Sequence, residues 1–153
     1  TVLVAATGQF AHSWAEMAET LGIKAEIVEF GTQSTIDPTR ISAALRADKA
    51  QRIKAVLVTH VDTSTSIKND IKEARAAIDA ADHPALLAVD CIASLCCDAF
   101  EMDAWGVDVM VAASQKGLMV PPGLAFVYFN EKAAVQQHAL TRVSSYWNWQ
   151  LFR

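Results

Sequence analysis

Four short polar groups in this sequence each follow an apolar run: Gly8 to Phe10, His60 to Ser66, Asp90 to Ser94, and Ser114 to Lys116. Their residue types suit one kind of chemistry. A lysine in a partly desolvated pocket loses proton affinity and becomes a neutral nucleophile toward an aldehyde. An aspartate nearby can hold a protonated ring nitrogen, while hydroxyls and backbone N–H groups can hold a phosphate. Lysine, aspartate and hydroxyls are the parts of a pyridoxal phosphate site. Each residue also has a plainer reading. Asp90 is equally suited to cap a helix beginning at "DCIAS", and Lys116 to be a surface lysine just past a strand.

The elements that must position these groups can be read from the apolar pattern. The runs 1–6, 25–30, 55–60, 85–90, 107–113 and 124–130 are strand candidates, and the first four are separated by segments of helical spacing. That alternation predicts an α/β fold, three-layer α/β/α, with a mostly parallel central sheet. In the first helical segment Phe10, Trp14, Met17, Ala18 and Leu21 mark an expected inner face, and Gly22 an expected stop. Asp37 and Pro38 open a second helix with Ile41, Ala44 and Leu45 inward. A third, over 66–82, is expected to turn Ile67, Ile71, Ala74 and Ile78 to the sheet, with Lys68, Lys72, Glu73 and Arg75 largely outward. In such sheets ligands bind beyond the carboxyl ends of the strands. The four polar groups would share that edge.

Bulk properties narrow the function. The chain has 153 residues, half of them apolar, and reads as a single domain over 1–153 without repeat or linker. Its net charge of −4, from 13 basic and 17 acidic residues, gives no footprint for nucleic acid or an anionic membrane. No run is long and apolar enough for a membrane span. Cys91, Cys96 and Cys97 are odd in number and closely spaced, which fits a reducing, cytoplasmic setting rather than a disulfide framework. Without a second Cys/His pair they give little basis for a metal site, and none is assigned. Among four scattered histidines, only His60 stands at a strand end, where a structural and a site role are both open.

The stretch 88–133 resembles the class V, fold-type I pyridoxal-phosphate aminotransferases, in particular the alanine/serine/aspartate–glyoxylate group. "VDCIASL" matches that group's V-D-x-(I/V)-A-S-L, "MDAWGVD" its M-D-x-W-G-(V/I)-D, and "SQKGLMVPPG" its S-Q-K-(G/A)-L-x-x-P-P-G, in that order. "THVDTST" and "TGQFAHSWAEMAETLG" extend the likeness toward the start of the chain. The resemblance implies the core of the large domain of a fold-type I enzyme. It makes Lys116 the residue bonded to pyridoxal 5'-phosphate as a Schiff base and Asp90 the carboxylate beneath the ring nitrogen. Gln115 and Thr63 become cofactor contacts, Phe10 the aromatic stacked on the ring and Ile92 the aliphatic support on its other face; core packing is the plainer reading for Phe10 and Ile92.

The implied reaction is transamination from a small amino acid of serine, alanine or aspartate type to a keto acid such as glyoxylate. The full-length protein is then expected to be a homodimer, with a phosphate-binding loop before Thr1 and a small domain after Arg153, and the segment alone to be inactive. Arg142 and Arg153 match no substrate-binding position, while "RVSSYWNWQ" suggests an entrance segment or a packing surface. A lyase or cysteine desulfurase of the same fold is the nearest alternative, and Gln115 speaks against it, since those relatives carry histidine before the lysine. A non-catalytic α/β module is the more distant one, although "TGQFA" lacks a three-glycine phosphate turn. Three departures from the family pattern bear on backbone geometry. Asp62 replaces a usual glutamate, Ser66 a usual glycine, and Cys96-Cys97 a usual Gly-Gly.

Overall fold

A computed structural model describes residues 1–140 and 148. In chain order the elements are β1 (Val2–Ala6), α1 (Gln9–Thr20), β2 (Ala25–Glu29), α2 (Pro38–Ala47), β3 (Ala55–Thr59), β4 (Val61–Asp62), β5 (Ile67–Lys68), α3 (Ile71–Ala80), β6 (Leu86–Asp90), β7 (Val109–Ala113), β8 (Ala125–Phe129) and α4 (Glu131–His138). Six strands form one sheet in the order β2-β1-β3-β6-β7-β8. All neighbours are parallel except β7 and β8, which are joined antiparallel.

Alternation along each strand divides the core in two, as side chains of a pleated strand must. Leu3, Ala5, Val56, Val58, Leu87 and Val89 point to the face covered by α2 and α3, where Ile41, Leu45, Ile71 and Ile78 meet them. Val4, Ala6, Leu57 and Ala88 point to the other face, against Ala11 and Ala15 of α1. Helices on both faces of a mostly parallel sheet make the three-layer α/β/α arrangement.

Helix starts follow their caps. The Asp37 carboxylate accepts from the Thr39 N–H at 2.8 Å, with Pro38 in the first turn. Asp70 accepts from the N–H groups of Lys72 and Glu73 and so starts α3 later than the pattern over 66–82 suggests. Ile67 therefore lies in the small β4–β5 hairpin rather than on the helix. Arg75 is not outward either. Only 15% exposed, it lies under the sheet edge, bonded to Asp79 and facing Asp108.

The face of α1 is a clearer correction. Ala11, Ala15 and Ala18 are buried, whereas Phe10, Met17 and Leu21 are 48%, 61% and 70% exposed. Small residues let this helix lie close to the sheet. Of the expected inner face, Ala18 is buried and Trp14 packs half-buried against this side of the core, whereas Phe10, Met17 and Leu21 flank the buried stripe and face outward.

Candidate active site

The strand order reverses at β1: the chain moves from β1 outward to β2, then back across to β3. Such a switch point opens a crevice beyond the strand ends. Its two walls are the loop from Thr7 into α1 and the segment His60–Ser66, which holds the β4–β5 hairpin turn. Asp62, fully buried, ties them together. One of its carboxylate oxygens accepts from the N–H groups of Phe10 (3.1 Å) and Ala11 (3.3 Å), and the other from the N–H (3.0 Å) and hydroxyl (2.6 Å) of Ser64. Ser64 Oγ in turn accepts from the Gln9 N–H at 2.9 Å, and the Thr65 hydroxyl donates to the Thr7 carbonyl at 3.1 Å. A side chain at Gly8 would place its Cβ 2.6 and 2.7 Å from the Asp62 oxygens, so this approach requires glycine.

Beneath the crevice, β3 and β6 pair Thr59 with Asp90, and β6 and β7 pair Asp90 with Val111. The Asp90 carboxylate accepts from the Ile92 N–H at 2.8 Å and has no cation within ion-pair distance among the described residues. Burial pushes its pKa above the ordinary carboxylate value; the Ile92 N–H opposes this, and the neighbouring charge of Asp62 adds to it. The plain alternative for this residue, a helix cap, is thereby excluded. The bond to Ile92 closes an Asx-type turn, and Asp90 caps no regular helix, because the chain after it runs in turns.

Lys116 sits just past the end of β7, exposed; its carbonyl accepts from the Met119 N–H at 2.9 Å, while its amine has no hydrogen bond or ion pair among the described residues. Its loop is nevertheless fixed. The buried Ser114 donates its hydroxyl to the Pro121 carbonyl at 2.7 Å and exchanges backbone bonds with Leu124 and Val120. A Cβ on Gly117 would overlap the Leu95 carbonyl oxygen and come within 2.8 Å of Cys97 Sγ, so the Lys116 loop rests directly on the 95–97 turn.

The other sequence candidates fall on the same edge. Phe10 is half-exposed at the mouth of the crevice, which removes the core-packing reading. Thr63 is exposed on the hairpin turn, Gln115 is exposed beside Lys116, and Ile92 is partly buried after Asp90. His60 is buried, bonded to the Ser94 hydroxyl at 2.9 Å and set among the rings of Phe100 and Trp105. Burial lowers its pKa. Cys91 is buried, with its thiol pushed up to about 12 by burial. Among the described residues no cluster of three metal-ligating side chains forms. Arg142, Arg153 and the "RVSSYWNWQ" segment, Asn148 apart, lie outside the described residues.

Three contributors were not assigned from sequence. Asp62 appeared only as a departure from a glutamate, Ser114 only as a neighbour of the lysine, and Asn69 not at all. The Asn69 amide donates to Thr7 Oγ1 (2.9 Å) and the Thr59 carbonyl (2.8 Å), bracing the first turn of both crevice walls. A small polar residue directly before a helix cap was the available signal. Two of the three substituted glycine positions have left-handed backbone, Ser66 with φ 59° and Cys96 with φ 63°, whereas Cys97 does not.

A sequence model for "Aminotransferase class-V" matches residues 1–147. The chain belongs to the class V aminotransferases. It is 46% identical over 143 residues to L-aspartate–glyoxylate aminotransferase of Paracoccus denitrificans, covering 92% of this chain and 36% of that protein. It is also 46% identical over 132 residues to serine–glyoxylate aminotransferase of Methylorubrum extorquens, covering 86% and 33%. Among solved structures, ureidoglycine-glyoxylate aminotransferase from Bacillus subtilis superposes with a TM-score of 0.86 at 27% identity, covering 99% of this chain and 38% of that one. The chain thus spans about a third of the length of these curated relatives.

Class V membership implies pyridoxal phosphate, and the residues present fit that group. A partly buried carboxylate with spare acceptor capacity and no cation suits a protonated pyridine nitrogen. An unpartnered lysine amine follows in the loop after the adjacent strand, and a half-exposed aromatic ring stands at the crevice mouth.

Proposed function

We propose that the full-length protein is an aminotransferase that moves the amino group of a small amino acid, of serine, alanine or aspartate type, to a keto acid such as glyoxylate. The observation that carries this reading is the pairing of an uncompensated Asp90 with an unpartnered Lys116 at the carboxyl ends of neighbouring parallel strands. The names of the relatives support the substrate class.

In this reading Lys116 Nζ is the point of covalent attachment, and Asp90 holds a proton on the cofactor's ring nitrogen by charge-assisted hydrogen bonding. Phe10 stacks on one face of the ring, Ile92 supports the other, and Thr63 and Gln115 bond its polar substituents. Pyridoxal phosphate, when bound, supplies an electron sink that acidifies the substrate Cα–H. With the cofactor bound, the Lys116 amine would be the base positioned to take the substrate Cα proton and to hand it on. Its loop, pinned by Ser114 and seated on the 95–97 turn, fixes the backbone from which the amine reaches.

The described unit is proposed as the central part of a large domain within a longer chain. The exposed Met17 of α1 and Leu21 just after it support a homodimer in which that helix is covered. Three cysteines without a disulfide agree with a cytoplasmic location. A panel of amino donors with glyoxylate and pyruvate, read by keto-acid product, tests the reading on the full-length protein. Absence of any amino transfer, or borohydride reduction that labels a residue other than Lys116, would overturn it.

A further inference from the structure

We propose that Asp62 is a positioning residue that couples the two walls of the cofactor crevice, fixing the Phe10 loop and the Thr63 turn in one arrangement. The inference rests on the reading of Phe10 and Thr63 as cofactor contacts. It adds that the Phe10 loop is held from the other wall, by the residue that also forms the Thr63 turn.

The four donors on Asp62 divide evenly. Phe10 and Ala11 N–H share one oxygen, and Ser64 N–H and Oγ–H share the other. One oxygen therefore serves each wall, and the wall residues are more than fifty positions apart in sequence. A buried carboxylate is costly unless its lone pairs are filled. Here the four donors, and the positive end of α1 on which it lies, supply that compensation without any lysine or arginine partner among the described residues.

The arrangement depends on a carboxylate rather than on polarity alone. An amide of the same shape has a single acceptor oxygen, so it would present N–H to one of the two donor pairs and release that wall. Length is constrained as well. Gly8 already stands so close that any added Cβ would strike the Asp62 carboxylate, which leaves no room for the group to move toward α1. Thr63 directly follows Asp62 in the hairpin, and Phe10 supplies one of the donors itself. A shift of the carboxylate is therefore felt at both proposed contacts at once.

The test uses the full-length holoenzyme. Asp62→Asn is expected to weaken cofactor retention by about tenfold or more, the scale of one lost charge-assisted hydrogen bond. The visible circular dichroism of the bound cofactor should fall with it, because the ring loses its fixed orientation. At saturating cofactor, borohydride labelling of Lys116 should stay at the wild-type level. Cofactor affinity and dichroism unchanged in Asp62→Asn would overturn the proposal. A wild type that is not labelled at Lys116 would instead remove the underlying cofactor reading, so the two failures are distinguishable.

Should Asp62→Asn not fold, Ser64→Ala and Gly8→Ala carry the same test. Each disturbs the clamp from one side. Both should lower dichroism and affinity, with losses in the Ser64→Ala/Gly8→Ala double variant clearly smaller than the product of the singles, as for groups that share one partner. Multiplicative losses would show that the two walls act independently, and losses of thermal stability with no change in the cofactor signature a purely structural role; either overturns the proposal.

Discussion

Asp90 and Asp108 lie on either side of the same sheet region, one at the carboxyl end of β6 and the other at the entrance to β7, and their surroundings are opposite. The Asp108 carboxylate, 3% exposed, accepts from the Leu87 N–H (2.8 Å) and the Asn130 amide (2.9 Å), with Arg75 and Lys132 both at 3.5 Å. Asp90 has one backbone N–H and a neighbouring negative charge. A carboxylate that closes its own network fixes strand register. One that is left open is poised for a ligand that brings the missing positive charge. In the proposed reading the contrast separates a structural edge of the sheet from a functional one.

The widest separation of the two edges is expected from Lys116→Ala. It should remove the cofactor's visible absorbance when attached and cut turnover by about 10²–10⁴-fold or more, the scale of a lost positioned base. Thermal stability of the cofactor-free protein should hardly change, because the lysine has no partner to lose. Normal turnover in this variant, measured by keto-acid formation, would break the comparison outright.

Asp90→Asn comes next. Turnover should fall by about 10²-fold or more while the cofactor still binds, since the amide cannot hold the ring-nitrogen proton by charge. Stability should move the other way. With its folded pKa above the unfolded value, Asp90 binds protons more tightly in the folded state, so its contribution is most favourable at low pH and is lost as pH rises through that window. At pH 7 the cofactor-free Asp90→Asn protein should therefore melt no lower than wild type, and the advantage should vanish below the unfolded carboxylate range, near pH 4. A lower melting temperature at pH 7 would show that Asp90 is a structural residue after all.

Asp108→Ala sharpens the same comparison from the structural side. It leaves Arg75 without its buried acceptor and frees the Leu87 N–H, at a cost of about 3–5 kcal/mol, as when one partner of a buried pair is removed. Chemical denaturation measures the loss directly. Turnover per folded, cofactor-loaded molecule should remain near wild type; a specific loss of turnover would mean that the two edges are coupled.

The sequence carried some of these features openly and hid others for physical reasons. Six strands stand out because each is a short apolar run, and the binding edge follows from parallel order, which places residues 8, 60, 90 and 116 together. The face of α1 was hidden because its packing residues are alanines, while Phe10, Met17 and Leu21 mimic an inner stripe. The β4–β5 hairpin was hidden because two-residue strands leave no period to read. Asp62 and Asn69 were hidden for a deeper reason: their donors and acceptors come from distant segments, so only the folded chain defines them.

The smallest expected effect concerns the left-handed residues on the two edges. Cys96 (φ 63°) is in the turn under Gly117, whereas Asp82 (φ 50°) joins α3 to β6 at the structural edge. Glycine at either position relieves about 1–2 kcal/mol of steric cost and returns about 0.4–1 kcal/mol through a freer unfolded chain. Cys96→Gly and Asp82→Gly should therefore both stabilise by no more than about 1.5 kcal/mol, read as a small rise in denaturation midpoint. Turnover is what should divide them. Gly117 rests on the Leu95 carbonyl and Cys97 Sγ, so a looser 95–97 turn seats Lys116 less firmly and lowers turnover in Cys96→Gly, while Asp82→Gly leaves it alone. Equal turnover in the two variants would mean that the lysine loop takes its rigidity from Ser114 and not from the turn beneath it.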